Sequence, residues 1–203
     1  MTYLYQLLFL GLTYFIAAIP FGLVVSKVFF GQDIRHIGSG NIGATNVTRI
    51  CGKKLGLVTL ILDGIKGAVM VIAARYIFAD VKFLNILLVL VATTAVVAHI
   101  FPIYLNFKGG KGVATALAVL ISINPVVGFL GCVAWMVVFA FTKTSSIASL
   151  SSMLIVTGFA FYCGLYAEEI LLSIFLTILI FFRHKENINR ILKGDEPKFN
   201  QSK

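Results

Sequence analysis

The chain has 203 residues, of which 59% are hydrophobic and only 12% charged, and its formal net charge is +9. With a mean hydropathy of +0.98, this composition excludes an ordinary soluble globular domain and is typical of an integral membrane protein. We expect the lipid bilayer as a partner, and not nucleic acid. Cys51, Cys132 and Cys163 lack the spacing of a zinc site or a disulfide framework, and the acidic and histidine residues are scattered. We therefore expect neither a metal nor a cofactor.

The predicted elements are apolar stretches, because a helix that crosses a bilayer needs about 20 such residues. The first stretch contains no Lys or Arg before Lys27. It therefore lacks the basic start of a cleaved signal peptide, and we expect it to remain as a span. In chain order the stretches fall near residues 3–30, 55–78, 83–101, 113–123, 126–141, 146–163 and 167–182.

The stretch 113–141 reads either as one long helix or as two. One helix would measure about 43 Å, well beyond a hydrocarbon core of roughly 30 Å, and Asn124-Pro125 is a turn signal in its middle. Two helices place fourteen of the seventeen Lys and Arg residues on one side of the membrane, as the positive-inside rule favours. We predict an all-α integral membrane protein, one polytopic domain over residues 1–203, with seven transmembrane helices. The N-terminus is expected outside and the C-terminus in the cytosol, and helix 113–123 must begin or end within the membrane.

This topology places three polar segments on the cytosolic side: residues 31–54, 102–112 and 183–203. The opposite loops are short and less polar. A one-sided distribution of this kind indicates a cytosol-facing active or binding site. It is not the pattern of a channel with two similar mouths.

The first polar segment contains three glycines spaced as in a dinucleotide-binding fingerprint, at positions 38, 40 and 43. That interpretation requires a βαβ unit, which cannot form between membrane helices. Glycines also allow close backbone approach to a ligand, and an arginine can hold a phosphate through two hydrogen bonds. The alternative is an amphipathic loop whose arginines lie on lipid headgroups. The candidate binding residues are Gly38, Ser39, Gly40, Asn41, Thr45, Asn46 and Arg49.

The second polar segment contains a glycine–lysine loop (residues 108–112) directly before the short helix 113–123. Its residues are Lys108, Gly109, Gly110, Lys111 and Gly112. It is not a Walker loop, in which the lysine follows a longer gap between glycines and precedes Ser or Thr. Backbone amides at a helix start, with lysines beside them, favour a phosphate-like anion. The alternative is an ordinary positive-inside loop, which three glycines in four positions disfavour.

The third polar segment carries His184 and Asn187, which share one face if the last span continues as a helix. Two charges also lie inside the second apolar stretch, Asp63 and Lys66. Intramembrane charges usually face a partner or a cavity, so we expect these two to pair and to support the loops of the polar site. Among Ser145, Ser146 and Ser149, one is expected to cap the following helix.

Together these segments resemble the acyl-phosphate:glycerol-3-phosphate acyltransferase family of bacterial membranes. The resemblance covers essentially the whole chain, with one small departure at Ala98, where the family pattern has glycine. The motifs that carry it are Gly38-Ser-Gly-Asn-Ile-Gly-Ala-Thr-Asn-Val-Thr-Arg49, then His99-x-Phe-Pro102 with Phe107-Lys-Gly-Gly-Lys-Gly-Val-Ala-Thr115, and Arg183-His-x-x-Asn-Ile-x-Arg190 with Gly194-x-Glu196.

The resemblance implies transfer of a fatty acyl group from acyl phosphate to the 1-hydroxyl of glycerol 3-phosphate, the first step of phospholipid synthesis. No acyl-CoA and no cofactor are required, and the protein is expected to act as a monomer in the bacterial inner membrane. Ser39, Arg49, His184 and Asn187 would shape the reaction centre. The glycine–lysine loop would bind the phosphate of glycerol 3-phosphate, Ser146 would lie near a phosphate, and Glu196 would be structural.

Two alternatives stay open at this point. His184 is a candidate general base, but the leaving phosphate can itself take the hydroxyl proton, and we favour the phosphate. The His-x₄-Asp box of other glycerolipid acyltransferases is absent, because no histidine is followed by Asp at that distance. Rival functions are an anion transporter that uses the N-terminus of helix 113–123 and a non-catalytic membrane scaffold.

Overall fold

The computed structural model describes residues 2–199, with side chains from Tyr3 onward. This part of the chain consists of α-helices, two short 3-10 turns and connecting loops. The helices are α1 (Thr2–Ala17), α2 (Phe21–Phe30), α3 (Ala44–Cys51), α4 (Lys53–Ile77), α5 (Leu84–Ile100), α6 (Val113–Ile123), α7 (Pro125–Thr142), α8 (Ser145–Tyr162), α9 (Ala167–Arg183) and α10 (Lys185–Lys193). The predicted all-α class is confirmed.

Five stretches of the described residues are long and apolar enough to cross a membrane: Tyr3–Phe30, Lys53–Ile77, Leu84–Leu105, Pro125–Thr142 and Ser145–Tyr162. The first of them is interrupted where α1 ends at Ala17 and α2 begins at Phe21. Pro20 precedes α2, and a proline has no amide hydrogen to continue the helical ladder. The helices α6 and α9 lie at two further predicted spans and have 11 and 17 residues.

The chain divides into two compact units, Met1–Ile123 and Asn124–Lys203. In the first unit α4 is the central helix and packs against α1, α2, α3, α5 and α6. Glycines on α4 permit these close approaches, because a Cβ at Gly56 would overlap the Thr48 side chain and a Cβ at Gly67 would press on Thr115 and Val119. That both units form one domain stays a prediction.

The boundary between the units is the predicted turn at Asn124-Pro125, so the stretch 113–141 forms two helices, as predicted. Asn124 caps α7 by accepting a hydrogen bond from the Val127 amide at 3.4 Å, and Pro125 occupies the first helical position, where a missing amide hydrogen is harmless. On the α6 side, the Arg75 guanidinium donates to the carbonyls of Ser122 and Ile123 at 2.9 and 3.3 Å. Those carbonyls would otherwise lack helical partners.

In the second unit α8 packs against α7 and α9, and α10 contacts α9. Polar side chains join the helices: the Trp135 ring nitrogen donates to the Ser149 hydroxyl at 3.1 Å, and the Thr157 and Thr177 hydroxyls lie 2.8 Å apart. The tail after α10 returns to α7, where the Phe199 ring meets the Phe139 ring edge-on at 5.5 Å.

Two local features of this unit differ from the expectations of the sequence analysis. The continuous helix on which His184 and Asn187 would share a face is interrupted: α9 ends at Arg183 and α10 begins at Lys185, with His184 between them. The break falls where the sequence changes from an apolar stretch to the amphipathic stretch 185–193. The expected serine cap of α8 was wrong: Thr144 occupies the N-cap position, without a side-chain cap hydrogen bond, and the hydroxyls of Ser146 and Ser149 make other contacts.

Candidate active site

The first polar segment begins with a network of charges around Asp33. Its carboxylate accepts hydrogen bonds from the Arg35 amide and guanidinium, the shortest at 2.6 Å, and lies 3.2 Å from the Lys27 ammonium. The bonds from the Arg35 side chain hold the pKa of Asp33 well below its usual range. Arg35 is thereby engaged in shaping the turn Ile34–His36.

Asn46 holds the middle of the first segment together. Its side-chain oxygen accepts from the Ser39 amide at 3.1 Å, and its amide group donates to the carbonyls of Ile34 and Ile37. Since Asn46 is buried, these bonds connect α3 to the loop before it. The geometry gives Asn46 a role in loop structure, and its predicted contact with substrate stays a prediction.

Ser39 is presented on the surface of this loop. It lies between Gly38 and Gly40, which have φ values of +64° and +67°, a region that favours glycine. A Cβ at Gly38 would also approach the Asn46 oxygen to 2.5 Å. Ser39 is exposed, so its hydroxyl is accessible to a ligand, whereas the glycines around it provide the turn.

The remaining candidates of the first segment lie in and before α3. The Asn41 side chain accepts from the Gly43 amide at 2.8 Å and so forms the turn that starts the helix. Thr45 is in the first turn of α3 and Arg49 in its last turn, and both are half-buried.

The first and second polar segments lie against each other. Leu23, Ile34, Ile42 and Val47 form a buried apolar cluster beneath the first segment, and Leu105 of the second segment packs against it. The structure therefore brings the two segments together within one unit, through contacting residues that are more than 50 positions apart in the chain.

The glycine–lysine loop folds back over the end of α5. The Gly109 amide donates to the Ile100 carbonyl at 3.0 Å, and the Gly110 amide donates to the His99 carbonyl at 3.2 Å. A Cβ at Gly109 would overlap the His99 carbonyl, a Cβ at Gly110 would overlap the His99 ring, and Gly112 has a φ of +88°. Each of the three glycines is thus required by close packing or backbone conformation, and Lys108 remains exposed on the loop.

A buried charged cluster lies beneath that loop. The Lys66 ammonium is 2.9 Å from the Asp63 carboxylate, and the His99 Nδ1 is 3.6 Å from the same carboxylate oxygen. All three residues are at most 5% exposed. The predicted pairing of Asp63 with Lys66 is confirmed. Its contact with His99 was missed, although a histidine ending an apolar helix is a signal for such a partner.

In the second unit, Glu196 joins two side chains of the predicted site, Ser146 and Asn187, and also contacts Arg190. Its carboxylate accepts from Ser146 at 2.7 Å, from Asn187 at 2.6 Å and from Arg190 at 2.7 Å. Burial favours the neutral form of Glu196, but these hydrogen bonds outweigh it and lower the pKa of the carboxyl below its usual value. The tail thereby ties the start of α8 to α10.

His184 lies at the junction of α9 and α10 and is only 2% exposed. Its Nδ1 is 2.8 Å from the Ile180 carbonyl. A carbonyl oxygen can only accept, so this contact assigns the proton of the neutral ring to Nδ1 and the lone pair to Nε2. That tautomer is the one in which Nε2 can accept a proton.

Metal ions are not indicated by the side chains present. Within residues 2–199, no group of three or more His, Cys, Asp or Glu side chains is placed to hold a metal ion. The site instead offers lysines, arginines, hydroxyl groups and a glycine-rich backbone, which are groups that bind anions.

Comparison with known proteins gives the family of the chain. The family model described as glycerol-3-phosphate acyltransferase matches residues 7–194. The chain belongs to this family. The glycerol-3-phosphate acyltransferase of Anaeromyxobacter sp. (strain K) is 41% identical over 187 residues, which cover 91% of this chain and 92% of the relative. That of Macrococcus caseolyticus (strain JCSC5402) is 42% identical over 194 residues, 94% of this chain and 95% of the relative.

Solved structures agree with this assignment. The crystal structure of PlsY (YgiH), an integral membrane glycerol 3-phosphate acyltransferase, in its glycerol 3-phosphate form matches with a TM-score of 0.88 at 36% identity, over 95% of this chain and 94% of that one. Its lysophosphatidic acid form matches with a TM-score of 0.86 at 35% identity. The resemblance predicted from the three motifs and the class of enzyme are confirmed. With its five apolar spans, this glycerol-3-phosphate acyltransferase family member is an all-helical integral membrane protein.

Glu196 offers a direct test of how the acyltransferase tail is held. A group whose pKa is lowered in the folded state stabilises the fold above its unfolded pKa, and this contribution is lost as the pH falls through the folded value. Glu196→Gln should therefore lower the melting temperature in detergent at pH 7 by about 2–6 °C, a loss of roughly 1–2 kcal/mol for hydrogen bonds to a partly screened charge.

The pH dependence separates this effect from a packing defect. The difference between parent and Glu196→Gln should shrink below about pH 4, as the parent glutamate becomes protonated. Asp195→Asn is the matched control, since its side chain is exposed next to Glu196. A Glu196→Gln difference that stays the same from pH 7 down to about pH 3, well below the ordinary pKa of a glutamate, would contradict the ionised network.

Proposed function

We propose that the chain transfers a fatty acyl group from acyl phosphate to the 1-hydroxyl of glycerol 3-phosphate. The hydroxyl oxygen forms a bond to the acyl carbon, the acyl–phosphate bond breaks, and 1-acylglycerol 3-phosphate and inorganic phosphate leave. The observation that carries the proposal is the glycine–lysine loop at the start of α6 in a member of this acyltransferase family.

The glycine–lysine loop is the proposed site for the phosphate of glycerol 3-phosphate. Gly109, Gly110 and Gly112 bring the backbone of the loop into close contact with the end of α5 and the residues that follow it. The loop leads into the N-terminus of α6, where amide groups carry partial positive charge. Lys108 and Lys111 add full positive charge, which a dianionic phosphate needs.

Ser39, Arg49, His184 and Asn187 are the proposed reaction-centre residues. Acyl phosphate is already activated, so the protein mainly has to orient the hydroxyl and stabilise charge on the carbonyl oxygen and the leaving phosphate. The exposed Ser39 hydroxyl between two glycines can donate to such an oxygen, and Arg49 can hold a phosphate. Thr45 and Ser146 are proposed as further phosphate contacts.

The proposed location is the bacterial inner membrane, with seven spans, the N-terminus outside and the site open to the cytosol. Supporting this, α6 and α9 lie at the two predicted spans that add to the five longer apolar stretches. The C-terminus of the short helix α6 is covered by Arg75, which is compatible with a helix end inside the membrane. We propose that the protein acts as a monomer.

The donor is tested with purified protein, palmitoyl phosphate and radiolabelled glycerol 3-phosphate. We expect labelled 1-acylglycerol 3-phosphate with this donor and none with palmitoyl-CoA, because CoA presents no acyl–phosphate bond. Lys111→Ala should reduce product formation at subsaturating glycerol 3-phosphate by about tenfold or more, the effect of losing one charged hydrogen bond to a phosphate. Product from palmitoyl-CoA alone, or uptake of glycerol 3-phosphate into liposomes without acylation, would contradict the proposal.

The second proposal concerns the group that accepts the proton of the glycerol 3-phosphate hydroxyl. We propose that the leaving phosphate takes the hydroxyl proton, and that His184 positions groups around it. His184→Gln should then retain kcat within about tenfold, whereas loss of a general base usually reduces the rate by about 10²–10⁴. An inactive variant that still binds glycerol 3-phosphate, measured by isothermal titration, would assign the proton to the Nε2 of His184.

A further inference from the structure

We propose that Asp63 and His99 are positioning residues that fix the glycine–lysine loop in its anion-binding form and so set the affinity for glycerol 3-phosphate. This inference rests on the proposed function of the loop. Both residues lie beneath the loop within the first unit, and neither is expected to touch the substrate.

The His99 ring is the surface on which the loop lies. The Gly110 amide donates to the His99 carbonyl at 3.2 Å, so the backbones of the two residues run side by side. A Cβ added at Gly110 would overlap the Nε2 edge of the ring. His99 is 5% exposed, so the ring is enclosed between the loop and the helices. The position of the ring therefore determines the position of Gly110, and with it the next residue, Lys111.

Asp63 controls both ends of the loop. Its carboxylate oxygen faces the His99 Nδ1 at 3.6 Å, in the last turn of α5, the helix that precedes the loop. Its backbone carbonyl accepts from the Thr115 hydroxyl at 2.8 Å, in the first turn of α6 just after the loop ends. One residue of α4 thus holds the two flanks of a loop that lies more than 40 residues further along the chain.

Lys66 anchors Asp63 in turn. Its ammonium group lies 2.9 Å from the carboxylate and donates to the Ile19 carbonyl at 2.8 Å. Ile19 is in the break between α1 and α2, where helical hydrogen bonding is interrupted. The carboxylate oxygen that faces His99 is therefore the one held by the Lys66 ammonium.

Energetics favour a positioning role over a purely stabilising one. Desolvation of a buried ion pair often outweighs its Coulombic attraction, and apolar replacements of similar volume are often neutral or stabilising. The buried cluster of Asp63, Lys66 and His99 therefore gives little reason to expect a role in stability alone. Its contacts with both flanks of the loop are what distinguish it from a simple ion pair.

The first test is steady-state kinetics of His99→Asn and Asp63→Asn with palmitoyl phosphate. The asparagine at 99 keeps an amide near the Nδ1 position but removes the ring edge beneath Gly110. We expect the KM for glycerol 3-phosphate to rise about 10- to 100-fold, since small displacements of a binding group have effects of that size. The KM for palmitoyl phosphate should stay within about twofold of the parent, a split that general destabilisation does not produce.

The matched control is His36→Asn, which changes an exposed histidine of the same unit outside the proposed machinery. His99→Asn and Asp63→Asn variants with the same KM for glycerol 3-phosphate as His36→Asn would overturn the inference. Equal rises in both KM values would also overturn it. A parent protein that makes no 1-acylglycerol 3-phosphate would instead refute the proposed function. If one variant does not fold, the KM values of the other decide.

A double-mutant cycle tests the contact itself. Gly110→Ala places a methyl group against the His99 ring, so it should raise the KM strongly in the parent. In the His99→Asn background the ring is gone, and the added rise should be at least about fivefold smaller, as expected for residues in direct contact. Additive effects of Gly110→Ala and His99→Asn would contradict the ring as the support of the loop.

Discussion

The carboxylate of Asp63 lies in an apolar helix and faces both the Lys66 ammonium and the His99 ring. In an apolar medium, charges and free backbone groups must find partners inside the protein, and this requirement organises the first unit. The Lys66 ammonium donates a hydrogen bond to the Ile19 carbonyl, which lies in the break between α1 and α2. The Asp63 carbonyl accepts a hydrogen bond from the Thr115 hydroxyl. Through these contacts α4 connects the interrupted first span, the end of α5 and the start of α6.

The same requirement explains how the polar loops are built. Amides of the glycine–lysine loop donate hydrogen bonds to the last carbonyls of α5. The Asn46 side chain makes three hydrogen bonds to backbone groups of the first segment. In the second unit the Glu196 carboxylate accepts hydrogen bonds from the side chains of Ser146 and Asn187 and so fixes their positions. Loops fixed in this way can present their cations and the start of α6 to the proposed phosphate without rearrangement. That is the property an acyl transfer between two phosphorylated substrates requires.

Hydropathy and charge were sufficient for the positions of the long apolar helices and for the break at Asn124-Pro125, because these depend on local composition and on proline. They did not predict the interruption between α1 and α2, or the short helices α3 and α10 within the polar segments. The motifs were sufficient for the family. The position of His99 at the end of an apolar helix signals a polar partner, but the sequence does not identify Asp63 as that partner. The two residues are 36 positions apart on two apolar helices, and hydrophobic periodicity does not specify such a pairing. The N-cap position at Thr144 and the break at His184 were missed for a related reason. The Ser146 hydroxyl bonds to Glu196 and the His184 ring lies against the Ile180 carbonyl, and these contacts are not encoded in local sequence.

The proposed site requires that the three polar segments share the cytosolic side of the membrane. A cysteine-accessibility experiment tests it directly, starting from a protein in which Cys51 and Cys132 are serine and Cys163, exposed after α8, is the single thiol. A membrane-impermeant maleimide should label Cys163 in cells whose outer membrane is permeable. With Cys163 also replaced by serine, Lys54→Cys, Lys108→Cys and Lys193→Cys should be labelled only after the inner membrane is opened. Labelling of any of these three from outside would contradict the account.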